Sequence, residues 1–182
     1  MRRLTRGVVA GIVCALVVIV TGIVPAGAHV TINPDKAEQG DFAIVSFSVP
    51  NERSDSGTVK LEVKFPEDHP IAFVSVQPKP GWTITVTRRT LDEPIGEHGD
   101  EIDEVVDTIT WEGGPLNPGE FDLFSISMGP LPTDVKRLEF PAVQTYESGE
   151  EVRWIETASG GDEAEFPTPT LKLKAPKKNG HD

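Results

Sequence analysis

Residues 58–65 read Thr58-Val59-Lys60-Leu61-Glu62-Val63-Lys64-Phe65. Val59, Leu61, Val63 and Phe65 share one phase, and Lys60, Glu62 and Lys64 share the other. Period two is the mark of a strand with one face in a core and one in water. The same alternation recurs in both directions along the chain. Val45, Phe47 and Val49 alternate with Ser46 and Ser48, and Trp82, Ile84 and Val86 alternate with Thr83, Thr85 and Thr87. Further on, Leu138, Phe140 and Ala142 alternate with Glu139 and Pro141. Turn chemistry separates the runs: Ser56-Gly57, Pro80-Gly81, Gly113-Gly114-Pro115, Pro118-Gly119 and Ser148-Gly149. No segment has the three-four spacing of an amphipathic helix. Many short strands divided by tight turns predict an all-β fold, an immunoglobulin-like antiparallel β-sandwich.

Composition limits what such a sandwich does. The 182 residues carry a formal net charge of −12 and include one cysteine and four histidines. A pI near 4.7 argues against nucleic acid, which needs a basic footprint. A single cysteine forms neither an internal disulfide nor a cysteine-rich zinc site.

The first 28 residues are expected to lie outside the fold. Arg2, Arg3 and Arg6 precede an uncharged run from Val8 to Val24, and Ala26-Gly27-Ala28 has the small-x-small pattern of a signal-peptidase site. Cleavage after Ala28 predicts an exported, extracytoplasmic protein, secreted or held in the cell envelope. The alternative is an uncleaved anchor. Cys14 leaves with the leader, because the Ile12-Val13 before it is a poor lipobox. Residues 29–182 retain 14 Lys and Arg against 29 Asp and Glu, a net charge of −15. No later apolar run approaches the length of a membrane span. The domain is expected over 29–174, followed by a polar, disordered tail over 175–182.

Asp92 to Asp107 holds eight acidic residues and reads as a long solvated hairpin loop. Its spacing lacks the calcium-loop pattern of alternating carboxylates with a distant Glu. No nucleophile elbow, zinc-protease histidine pair or glycine-rich phosphate loop occurs. The chemistry therefore falls on His29. As a first residue it offers a free α-amine and ring Nδ1, which together close a six-membered chelate ring. Two nitrogens and a nearby oxygen suit Cu(II), which prefers tetragonal N,O geometry and tops the divalent affinity order. Protons compete for both nitrogens, so affinity falls in mild acid. His69 lies in turn chemistry between Asp68 and Pro70, His98 in the acidic segment and His181 in the tail; solvated histidines are the expectation there. Trp82 and Trp111 are expected in the core. Trp154 and Ile155 are adjacent in the strand expected over 152–156, so one of them must leave the core, and a Trp near a strand end can cap a site.

The chain also resembles a known family, the YcnI-like copper-binding domain. The segments that carry the resemblance are Ala28-His29-Val30-Thr31-Ile32-Asn33-Pro34, Val49-Pro50-Asn51-Glu52, Pro78-Lys79-Pro80-Gly81-Trp82, Ile109-Thr110-Trp111-Glu112-Gly113-Gly114, Pro118-Gly119-Glu120-Phe121 and Phe140-Pro141-Ala142-Val143-Gln144-Thr145-Tyr146 through Trp154-Ile155-Glu156. The resemblance implies an exported immunoglobulin-like domain in copper homeostasis. It further implies Cu(II) held by an N-terminal histidine with its amine, a glutamate, and a tryptophan beside the metal. His29 and Trp154 match two of these. The glutamate is expected in a Phe-x-Glu-Phe segment, where this chain has Phe121-Asp122-Leu123-Phe124, so Leu123 stands in its place. Leu cannot bind Cu(II). Asp122 and Glu120 flank it and become replacement candidates if a β-bulge re-aims them; the phase change between Leu123 and Phe124 suggests such an irregularity.

The function expected is a copper carrier, chaperone or sensor rather than an enzyme, exchanging the ion with other exported copper-handling proteins. The alternatives are a metal-free extracellular interaction module, since sandwiches host many functions, and a histidine-brace copper oxidoreductase, which usually needs a second histidine. With no cysteine and only Met128 left after cleavage, Cu(I) lacks the soft sulfur ligands it wants.

Overall fold

In a computed structural model, residues 29–96, 101–157 and 164–176 are described. The expected leader, most of the expected tail, His98 and His181 lie outside them. The described residues form twelve strands and no helix: β1 (Thr31–Asn33), β2 (Lys36–Glu38), β3 (Ala43–Pro50), β4 (Thr58–Lys64), β5 (Phe73–Val76), β6 (Trp82–Ile95), β7 (Ile102–Leu116), β8 (Phe121–Gly129), β9 (Arg137–Glu139), β10 (Ala142–Tyr146), β11 (Glu151–Trp154) and β12 (Thr170–Lys174). Accordingly, among the described residues no helix is long and apolar enough to cross a membrane.

The strands make a four-stranded sheet in the order β1-β3-β8-β5, a five-stranded sheet in the order β11-β10-β4-β7-β6, and a small sheet β2-β12-β9. All pairs are antiparallel except β12 with β2. The two larger sheets face each other across an apolar core, as the alternation requires. Val45, Phe47 and Val49 from β3 and Phe124, Ile126 and Met128 from β8 meet Leu61, Val63, Ile109 and Trp111 from the other layer, all buried. Aromatic edges interlock at the centre, with Trp111 5.5 Å from Phe124 and Phe47 5.7 Å from Phe140 between ring centroids. The outer face of the four-stranded sheet is different. It exposes Ile44, Phe73, Phe121 and Leu123 among serines.

Five local expectations need correction. The Asp92–Asp107 segment is mostly strand rather than loop: β6 and β7 run on as a long hairpin arm and pair as far as Ile95 with Ile102. The phase of the 58–65 stretch slips at its start, because a register shift between Thr58 and Lys60 buries Thr58 and leaves Val59 half-buried. The 138–142 run is two strands. Its alternation is unbroken, but Phe140 donates its N–H to Pro169 and Pro141 accepts one from Lys64, so the chain changes sheets at Pro141. Finally, β8 has no bulge. Its register with β3 is continuous from Ala43 opposite Met128 to Pro50 opposite Phe121. Phe121 and Leu123 simply face solvent. Trp82 is only half-buried, packed at 5.0 Å on Phe124.

One close approach depends on glycine. Gly113 has φ +147°, and a Cβ there would lie 2.2 Å from the Gly81 carbonyl oxygen. Only a residue without a side chain lets β7 pass the turn that starts β6.

Candidate metal centre

The β1–β3 register brings the beginning of the domain to the end of β3. Thr31 pairs with Ser48. Two residues further along the same antiparallel register, His29 comes level with Pro50. Both line one cleft of about 560 Å³ with Ser48, Asn51, Glu52, Gly119, Glu120 and Phe121. Val30 and Ile32 are buried, so His29 stands at the rim of the core, two residues before β1.

Trp154 closes the other side. As the last residue of β11 it is 6% exposed, while Ile155 is 50% exposed and is therefore the one of the pair that leaves the core. The imidazole of His29 and the Trp154 indole meet edge to face, 5.8 Å between centroids with an interplanar angle of 69°. Phe166 packs on the indole at 5.6 Å. A second cleft of about 510 Å³ runs along Trp154, lined also by Pro50, Glu52, Arg53, Tyr146 and Phe166. Pro50 and Glu52 border both clefts and so stand where the two meet.

A polar network holds this rim. Asn51 is buried and donates to the carbonyls of Ser56 and Leu116, each at 2.9 Å, while its side-chain oxygen accepts the Arg53 N–H at 2.9 Å. Its backbone N–H reaches Glu120 O at 2.8 Å, and its carbonyl accepts from Gly119 at 2.9 Å. The backbone on both sides of Glu52 is thereby pinned. Arg53 pairs with Glu150 and lies over the Tyr146 ring at 5.3 Å. Burial pushes the Tyr146 phenol up, against the opposing charge of Arg53.

The sequence-derived candidates separate. Glu120 lines the His29 cleft, but its Oε2 accepts from the Asn117 backbone and side-chain nitrogens at 2.8 and 3.1 Å. Asp122 is not among the residues lining that cleft. Its Oδ1 takes Lys79 Nζ at 2.6 Å and the Leu123 N–H at 2.7 Å. Leu123 lies on the exposed face of β8, its carbonyl accepting from Lys79 at 3.0 Å. Glu52 is the carboxylate to which sequence reasoning gave no role. Its signal was in the quoted Val49-Pro50-Asn51-Glu52 segment, but only the β1–β3 register shows that His29 arrives beside it. His69 is elsewhere, with Nδ1 4.0 Å from an oxygen of Asp134. Among the described residues no three His, Cys, Asp or Glu side chains are grouped to hold a metal ion. In this cleft a freed His29 amine would add a second nitrogen donor to the imidazole.

Residues 29–173 match the model of a family described as "Domain of unknown function (DUF1775)". A solved structure, the crystal structure of an uncharacterized protein from Nocardia farcinica with an immunoglobulin-like fold, is 34% identical. The match has a TM-score of 0.63 and covers 80% of this chain and 97% of that one. A cohesin module from a Clostridium perfringens ATCC13124 family 33 glycoside hydrolase matches at 10% identity and a TM-score of 0.44, over 80% of this chain and 93% of that one. No curated protein matches.

Proposed function

We propose that this chain, which belongs to the DUF1775 family, is an exported Cu(II)-binding protein whose ligand set is built on His29. The family match begins at His29, and it is compatible with the resemblance to YcnI-like copper-binding domains. The observation that carries the reading is the meeting of the His29 imidazole and the buried Trp154 indole at 5.8 Å, with Glu52 bordering both clefts beside them. Cleavage after Ala28 would free the amine. His29 would then give two nitrogens, Glu52 or Glu120 an oxygen, and Trp154 an apolar wall. This donor set suits Cu(II) among the divalent ions. Glu52 is the preferred oxygen donor because it borders both the His29 and the Trp154 clefts, whereas Glu120 lines only the first and Asp122 neither.

The role that fits is carriage, delivery or sensing of copper in the cell envelope or outside the cell, in exchange with other exported copper proteins. An enzyme is the weaker reading: the His29 cleft contains no second histidine among the described residues. One observation favours a second function, that of an interaction module. The uncharged outer face of the four-stranded sheet exposes Ile44, Phe121 and Leu123, and Phe42 stacks on Phe73 beside it at 6.2 Å.

The test is titration with Cu(II) of a chain that starts at His29 with a free amine beside the same chain acetylated at the His29 amine. Acetylation blocks the amine and should weaken binding at least about 100-fold, because one of two chelating nitrogens is lost. Equal affinity of the two chains overturns the proposal.

A further inference from the structure

We infer that Gln144 is the positioning residue of the His29 site, and that it turns the Trp154 N–H inward so that the indole faces a bound cation with carbon rather than nitrogen. The inference rests on the copper reading above but is carried by a separate set of contacts. Gln144 is fully buried on β10, in the phase of Ala142 and Tyr146 that faces the core. Its Nε2 donates to Pro50 O at 2.9 Å and to Thr58 Oγ1 at 2.8 Å. Its Oε1 accepts from Trp154 Nε1 at 3.3 Å. The partners decide the orientation of the amide. A proline carbonyl only accepts and an indole N–H only donates, so nitrogen and oxygen cannot be exchanged.

One side chain thereby ties three strand ends. Pro50 ends β3 in the four-stranded sheet, while Thr58 begins β4 and Trp154 ends β11 in the five-stranded sheet. Pro50 is level with His29 and two residues before Glu52. The amide therefore sits behind the imidazole, the carboxylate and the indole at once. A buried polar side chain is costly unless it is hydrogen-bonded, and both polar atoms of Gln144 are bonded. Satisfying an indole is not reason enough for it, because the same sandwich buries Trp111 with its N–H unpartnered among the described residues. Since the Trp154 N–H is occupied, its contact with a cation at His29 is through the electron-rich ring.

Two readouts test this: Cu(II) affinity of the folded chain starting at His29, and hydrogen exchange of the Trp154 indole N–H without metal. Wild type should show a protected N–H. Gln144→Leu keeps the volume and loses every bond. It should release that proton to fast exchange and weaken Cu(II) binding about 10- to 100-fold, as loss of an orienting group behind a ligand does, measured well below its melting temperature. The Cu(II) spectrum should change with it, which a merely structural role would not cause. If Gln144→Leu does not fold, Thr58→Val frees one amide N–H and should give a loss of several-fold, about the low end of that range, in the same direction. Unchanged affinity in the folded variant overturns the positioning role and leaves the copper reading standing. Absence of Cu(II) binding by wild type overturns both. An unprotected Trp154 N–H in wild type overturns the frame itself.

Discussion

Among the described residues two histidines stand in clefts beside carboxylates, and only one of them has a supporting structure behind it. His69 borders a cleft of about 980 Å³, larger than the one at His29, with Asp68, Glu101, Asp134, Phe73 and Leu131 around it. Its partner Asp134 has a side chain 74% exposed and 4.0 Å away, and the neighbouring turns are built on Pro70, Pro130 and Pro132. His29 has a smaller cleft, but Asn51 and Gln144 fasten the backbone and the indole beside it through buried hydrogen bonds. Cleft size and the presence of acidic groups do not make a site. Preorganisation does, because donors held in place need not be ordered when the ion arrives.

The comparison breaks most sharply at the histidines themselves. His29→Ala in the chain starting at residue 29 should lower Cu(II) affinity by at least about 1,000-fold, whereas His69→Ala should change it less than about twofold. Calorimetry with a competing chelator reads both, and a larger loss from His69→Ala would reverse the assignment. Next in size is the carboxylate. Glu52→Gln should cost about 10- to 100-fold and Glu120→Gln about threefold or less. The opposite order would make Glu120 the oxygen donor.

Stability sharpens the contrast further. Asn51→Ala removes three side-chain hydrogen bonds and strands two buried carbonyls, so urea unfolding should show a loss of about 2–4 kcal/mol. Asp134→Ala beside His69 should change stability by less than about 0.5 kcal/mol. The smallest effect is electrostatic and lies on the His69 side. The Lys64–Glu67 bond and charge hold the Glu67 carboxyl below its ordinary value and the Lys64 ammonium above its own. The Glu67 contribution is complete above its unfolded-state pKa and fades as pH falls through the folded value. The Lys64 contribution is complete below its unfolded-state pKa and fades as pH rises through the folded value. Melting curves from neutral to acid pH should thus be slightly shallower for Glu67→Gln. A difference comparable to that of Asn51→Ala would mean that the exposed pair matters far more than its solvent screening allows.

The strands were legible because one buried face writes itself into the sequence as alternation. Val45, Phe47 and Val49 all face the core as read, and the position of the pair Trp154 and Ile155 already announced that one side chain leaves it. The change of sheet at Pro141 was not legible, since the phase of Leu138, Phe140 and Ala142 continues straight through it. Leu123 drew attention to β8, where a bulge was expected and the register is regular. Glu52 escaped notice because its neighbour in space comes from 23 positions earlier in the chain, through a three-residue strand too short to show a pattern. Gln144 did have a signal, a polar side chain in a core phase between Ala142 and Tyr146. Such a residue must find partners inside, and here they are the rim.

The shortness of β1 bears on how long a ligand at a freed His29 would last. A ligand on the first residue of a chain is exposed to exopeptidases, which could destroy it with one cut. Immediately after His29, however, Val30 is 1% exposed, and the strand that follows is bonded to β3. An enzyme that needs several extended residues in its groove would have to draw Val30 and Ile32 out of the sandwich first, so a chain cleaved after Ala28 would keep His29 on a stump too short to trim.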